Sequence, residues 1–117
     1  MSSKLYLLLY ALLASMPATA APPADGWAAV EAAHCLACHE LRKVRVGPPF
    51  QAIAKRFAGQ PGAARYLAQS IRSGGHGRWG AVPMPAQPQV SPAQAAAIAE
   101  WILSLDGGDN AQARGAR

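Results

Sequence analysis

The chain has 117 residues, 51% of them hydrophobic and 15% charged, with a formal net charge of +5. That length suits one domain. Its charges form no basic run interleaved with aromatics, which excludes a nucleic-acid binder, and two cysteines are too few for a disulfide framework.

The N-terminus opens with Lys4, an apolar run from Leu5 to Ala14, a break at Ser15-Met16-Pro17 and the small residues Ala18-Thr19-Ala20. This is the pattern of a secretory signal cut after Ala20. The run falls short of the ~20 residues that a membrane span needs. An uncleaved amphipathic anchor is the alternative reading, and no cysteine follows closely enough for a lipid anchor. The expected organisation is a signal at 1–20, one domain at 21–106 and a flexible tail at 107–117. Stable membrane insertion is not expected.

Asp25 can cap a helix from Gly26 to Cys38, with Trp27 and Val30 on one face. Its end carries the organising motif, Cys35-Leu36-Ala37-Cys38-His39. A C-x-x-C-H run is the signature of c-type haem attachment. Two thiols at this spacing can each add to one vinyl group of a single haem, and His39, four residues after Cys35, shares its helical face and can bind the iron. Competing readings are weaker. A thioredoxin-like disulfide sits beside a βαβ pattern, and no strand-like alternation precedes this pair. A structural zinc site draws on a second ligand pair, which is missing. A disulfide closing so short a loop would stabilise little. Because most apolar side chains are alanine, the haem itself would complete the core, and the haem-free chain is expected to be largely unfolded.

Leu41 to Gly47 mixes charged and apolar residues and reads as a loop stopped by Pro48-Pro49. A ligating imidazole donates its second N–H to a carbonyl or carboxylate. A carbonyl near Pro48 is the natural acceptor, with a simple turn as the alternative. Phe50 to Phe57 is a short helix, Gly59 to Gly62 a turn, and Ala63 to Ser73 a third helix with Leu67 and Ile71 buried. Gly74-Gly75 ends it.

Gly74 to Val90 is an extended, proline- and glycine-rich loop. Met84, clamped between Pro83 and Pro85, is the only methionine beyond the signal and the leading candidate for a second axial ligand. His76 is its competitor, and His34 lies too near Cys35 to cross to the other haem face. Ser91, Pro92 and Gln94 open the last helix with a capping box. Ile98, Trp101, Ile102 and Leu105 give it one apolar face, suited to Trp27 and Val30. The sum is an all-α fold of about four short helices around one covalently bound haem, its N- and C-terminal helices packed together.

In order along the chain, CLACH, VGP at 46–48, AGQPG at 58–62, GRWGAVPMP at 77–85 and the closing AEWILSL resemble a short bacterial class I cytochrome c, a small periplasmic carrier with one haem c. The resemblance implies that fold, thioether links at Cys35 and Cys38, and axial ligands His39 and Met84. It also implies that the Pro48 carbonyl orients His39 and that Trp79 bonds a haem propionate. Leu36, Ala37, Val46 and Val82 would ring the exposed haem edge. Three positions depart from the pattern. Ala86 and Gln87 stand where a proline and an asparagine often support the methionine, Ser70 stands where a basic residue often lies near the propionates, and Arg45 puts a charge in the docking rim.

The function implied is one-electron transfer, not catalysis, by a monomer in the periplasm. Its donor would be a membrane cytochrome complex and its acceptor a periplasmic reductase, peroxidase or oxidase. The alternatives are a haem enzyme or a gas or peroxide sensor in which Met84 is displaced, or a dedicated subunit of a dehydrogenase complex.

Overall fold

The structure, a computed structural model, describes residues 25–107. The expected signal peptide, and the tail from 108 onward, lie outside these residues. Among them are four α-helices: α1 (Gly26–Ala32), α2 (Phe50–Phe57), α3 (Ala63–Ser73) and α4 (Pro92–Ser104). Short 3-10 turns follow at Cys35–Ala37 and Leu105–Gly107. The described residues contain no strand, only an isolated antiparallel bridge between Gly75 and Met84. The all-α expectation holds.

The Asp25 side chain accepts a hydrogen bond from the Trp27 N–H at 3.0 Å and starts α1. The expected helix to Cys38 does not form. α1 ends at Ala32, and His34 takes the left-handed conformation at φ 56° and ψ 29°. That conformation costs an L-residue about 1–2 kcal/mol. Nothing in Ala32-Ala33-His34 signals a stop, so tertiary packing imposes the break. A fresh turn then begins at Cys35, whose carbonyl accepts from the Cys38 and His39 N–H groups at 3.2 and 3.0 Å. Cys35 and Leu36 thereby pack against the core.

α4 is the centre of the fold. Ser91 and Gln94 form the expected reciprocal box, at 3.1 and 2.9 Å. Ala95, Ile98, Ala99, Trp101 and Ile102 are buried along the helix. Trp101 packs against Trp27 with ring centroids 5.4 Å apart and edge-on to Phe50 at 5.2 Å. Its indole Nε1 is buried without a hydrogen-bond partner. Such an orphan costs about 1–3 kcal/mol, whereas burying about 150–250 Å² of tryptophan at ~25 cal/mol/Å² returns about 4–6 kcal/mol, so packing prevails.

α1 crosses α4 at Gly26. A Cβ there would run into the Trp101 Cβ and lie 2.5 Å from the Ala97 carbonyl oxygen. The close approach puts Val30 fully inside the core.

The remaining helices match their expected spans. Phe50 and Ile53 of α2, and Leu67 and Ile71 of α3, are buried. The long loop folds back on the C-terminus of α3. The Gln87 N–H donates to the Ile71 and Arg72 carbonyls at 3.1 and 3.2 Å, and Arg72 Nε donates to the Val90 carbonyl at 3.0 Å.

Gly26→Ala is expected to force the terminal helices apart and to destabilise the haem-loaded protein by about 1–3 kcal/mol, the usual range for overpacking. Guanidinium unfolding curves of the variant and its parent measure the difference.

Candidate haem site

Helices α2, α3 and α4 and the loops on either side enclose a cavity of about 300 Å³. Its wall is apolar, with Ile53 from α2, Leu67 and Ile71 from α3, and Ile98 and Ile102 from α4. Cys35, Cys38 and His39 line one side, and Pro83, Met84 and Pro85 also line it. The sequence motif and the proline-clamped methionine, 45 positions apart between His39 and Met84, therefore share one chamber.

His39 is fixed from three directions. Its Nδ1 lies 2.7 Å from the Pro48 carbonyl oxygen. A carbonyl only accepts, so Nδ1 carries the proton and Nε2 keeps a free lone pair. Phe50 stacks on the ring at 5.2 Å between centroids and 22° between planes. Gly47 packs against it so closely that a Cβ there would lie 2.5 Å from Cε1. The loop that does this is itself pinned, since the Val46 and Gly47 N–H groups donate to the Cys38 carbonyl at 3.1 and 2.8 Å. His39 is the buried polar residue among those described, at 8% exposure.

Met84 is held through its backbone. Its N–H donates to the Gly75 carbonyl at 2.8 Å, and its carbonyl accepts from the Gly75 N–H at 3.0 Å. Gly74, at φ 71°, permits the approach, because a Cβ there would lie 2.6 Å from the Met84 carbonyl oxygen. The Gln87 side chain donates to the Pro85 carbonyl at 3.2 Å and accepts from Gln89 at 2.7 Å. Position 87 thus braces the segment following Met84, through glutamine.

Cys35 is half-buried and Cys38 exposed, and no disulfide joins them. Burial pushes the Cys35 thiol above its ordinary value; a backbone hydrogen bond opposes the shift, and neighbouring Cys38 adds to it. Of the other histidines, His34 is exposed and off the cavity, while His76 stands at its rim. Val46 and Val82 line the cavity and are 52% and 61% exposed. Leu36 instead packs partly buried against the core, and Ala37 is exposed. Trp79 lines the cavity, with the Arg56 guanidinium over its ring at 4.6 Å.

The residues suit a flat apolar group attached at one turn. No cluster of three or more His, Cys, Asp or Glu side chains among the described residues could cage a bare metal ion. An imidazole lone pair and a thioether are instead the soft, sparse donors that an iron already held by a macrocycle accepts. Sequence reasoning singled out both His39 and Met84, and the structure brings them to one cavity. That reasoning missed Arg56 and Arg78, whose placement depends on contacts between α2, α3 and the long loop.

Fold and cavity define a small all-α domain built around such a group, and the comparisons agree. A protein-family profile described as "Cytochrome C oxidase, cbb3-type, subunit III" matches residues 21–102. The chain is 49% identical over 71 residues to cytochrome c-552 of Hydrogenobacter thermophilus, covering 61% of this chain and 71% of that one. It is 42% identical over 99 residues to cytochrome c-551 of Stutzerimonas stutzeri, covering 85% and 91%. The crystal structure of Nitrosomonas europaea cytochrome c552 superposes with a TM-score of 0.66 at 42% identity, over 68% of this chain and 98% of that one. The chain belongs to the cytochrome c family, as a small class I member with a single haem. It carries one covalently attached haem c and works in electron transfer.

Gly47→Ala is expected to push the imbalanced contact onto the His39 ring and loosen its bond to Pro48. In NMR spectra of the reduced protein, the His39 Nδ1 proton should exchange with solvent at least tenfold faster than in the parent, a loss of about 1.4 kcal/mol of protection.

Proposed function

We propose that Cys35 and Cys38 hold the haem through thioether bonds and that His39 Nε2 and Met84 Sδ are its two axial ligands. The observation that carries this reading is the 2.7 Å contact between His39 Nδ1 and the Pro48 carbonyl, which leaves the other ring nitrogen free on a residue lining the same cavity as Met84. When bound, the haem supplies an iron that takes up and returns one electron.

The chain's own residues do the rest. Pro48 holds the imidazole in one tautomer and orientation. The Gly75–Met84 bridge holds the thioether segment against α3. Ile53, Leu67, Ile71, Ile98 and Ile102 exclude water from the chamber and lower its dielectric. Trp79, which lines the cavity, would donate its indole N–H to a haem propionate. With imidazole and thioether both engaged, no coordination position is left for a substrate, so the protein is a carrier and not an enzyme.

Electrons would pass where Val46 and Val82 leave the cavity edge exposed. Val44, two residues before Val46 in the chain, is 75% exposed, and its chain neighbours are Lys43 and Arg45. Arg45 is partly neutralised by Glu40 at 4.0 Å. A small apolar contact with a basic border suits brief encounters with acidic redox partners. The partners we infer are a membrane cytochrome complex as donor and a periplasmic reductase, peroxidase or oxidase as acceptor. Among the described residues no helix is long and apolar enough to cross a membrane. From the leader-like first 20 residues we infer export to the periplasm, with residues 21–106 as the haem domain and 107–117 as a tail.

The oxidised protein is expected to show a low-spin spectrum with a methionine-to-iron charge-transfer band near the red end. Met84→Ala should abolish that band, give a high-spin ferric spectrum and let the reduced form bind carbon monoxide. A parent protein that is already high-spin, or that binds carbon monoxide readily, overturns the assignment.

A further inference from the structure

One guanidinium lines the cavity and a second stands behind it, over Trp79, and among the described residues no carboxylate meets either. Arg78 lines the cavity. Its guanidinium lies over the Tyr66 ring at 4.7 Å, and its Nη1 donates to Ser70 Oγ at 3.1 Å. Arg56 comes from α2, donates Nη1 to the Arg78 carbonyl at 2.6 Å and covers Trp79. Neither arginine has a carboxylate partner among the described residues. The side chains against the Arg78 guanidinium are Tyr66 and Ser70 from α3, Arg56 from α2 reaches its carbonyl, and His76 and Trp79 of its own loop line the same cavity. None of them carries a negative charge.

These contacts order the two side chains. Arg78 is gripped by a ring face and a hydroxyl, and its peptide carbonyl is gripped by the second arginine. Both side chains are solvent-exposed, so their repulsion is screened, but they stand ordered at the mouth of an apolar chamber with no acid beside them. A haem brings two carboxylates to its chamber, and the planar guanidinium fork matches a carboxylate.

We propose that Arg78 is the counter-cation of a haem propionate, with Ser70 as the residue that positions it and Arg56 as a second positive charge behind it. Position 70 thus contributes a hydroxyl anchor, and the charge comes from eight residues further along the chain. The proposal rests on the seating of the haem given above. Arg78 keeps that propionate ionised through the neutral range, and its positive charge disfavours the ferric state.

The test is the reduction potential of the haem-loaded protein as a function of pH. His76 also lines the cavity, so the series is made in a His76→Asn parent, which leaves no imidazole at the rim. It comprises that parent, Arg78→Gln, Arg78→Lys and Arg65→Gln, the last removing an equal charge from the exposed face of α3. At about pH 8 the Arg78→Gln potential should lie below that of Arg65→Gln. On acidification to about pH 5.5 it should climb, as the unpaired propionate takes up a proton from solvent, over a range in which the parent and Arg65→Gln stay flat. Arg78→Lys, which retains the charge, should restore most of the parent profile. If Arg78→Gln tracks Arg65→Gln at every pH while its low-spin spectrum is intact, the role of Arg78 is refuted and the haem ligation stands. A parent without that low-spin spectrum refutes the ligation itself.

Discussion

One hydrogen bond, from His39 Nδ1 to the Pro48 carbonyl, carries the organisation of this domain. It chooses the tautomer of the imidazole, fixes the ring's rotation and commits the opposite nitrogen to the chamber. A bond from a single flexible residue would do this poorly. Here the acceptor sits in a Pro-Pro pair whose φ angles are preset, at the end of a loop tied back to Cys38 by two N–H donors. The loop's exit is also tied, because the Phe50 N–H donates to the Glu40 carbonyl at 2.9 Å. The segment from His39 to Pro48 thus forms a closed clasp about the imidazole.

From that clasp the constraint runs through aromatic rings to the termini of the fold. His39 stacks on Phe50, Phe50 meets Trp101 edge-on, and Trp101 packs against Trp27. Phe50, Trp101 and Trp27 therefore connect the imidazole to the crossing of α1 and α4. Gly26 lets the crossing close, and the small residues along α4 keep the helices near. The haem chamber and the helix crossing are two sides of one packed wall, which explains how an alanine-rich chain sustains a rigid site.

Much of this could be read from the residues. The caps at Asp25 and Ser91, the proline at 92 and the glycines at 59, 62 and 74 are local signals, and the spans of α2, α3 and α4 follow from them. Met84 was legible because two prolines and the exclusion of other sulfurs isolate it. The end of α1 was not legible. His34 adopts a left-handed angle that nothing in its neighbours requests, and only the need to pack Cys35 and Leu36 against the core and to bury His39 accounts for it. The partnership of Ser70 and Arg78 was hidden for a different reason. Position 70 read as a missing cation, and a long side chain from another segment reaches it, a contact that no periodicity encodes. Gln87, which departs from the asparagine often found there, braces the loop through its own amide.

The bridge between Gly75 and Met84 also divides the long loop into a neck and a head. The neck, sealed by a reciprocal pair of backbone bonds, sets where the sulfur stands. The head, residues 76–83, carries Arg78 and Trp79 and touches the rest of the domain mainly through side chains. Changes of sequence within the head can therefore drift during descent without dislodging the sulfur. The segment behaves as an exchangeable cassette, able to change the chemistry of the cavity mouth while the backbone station of residue 84 is kept.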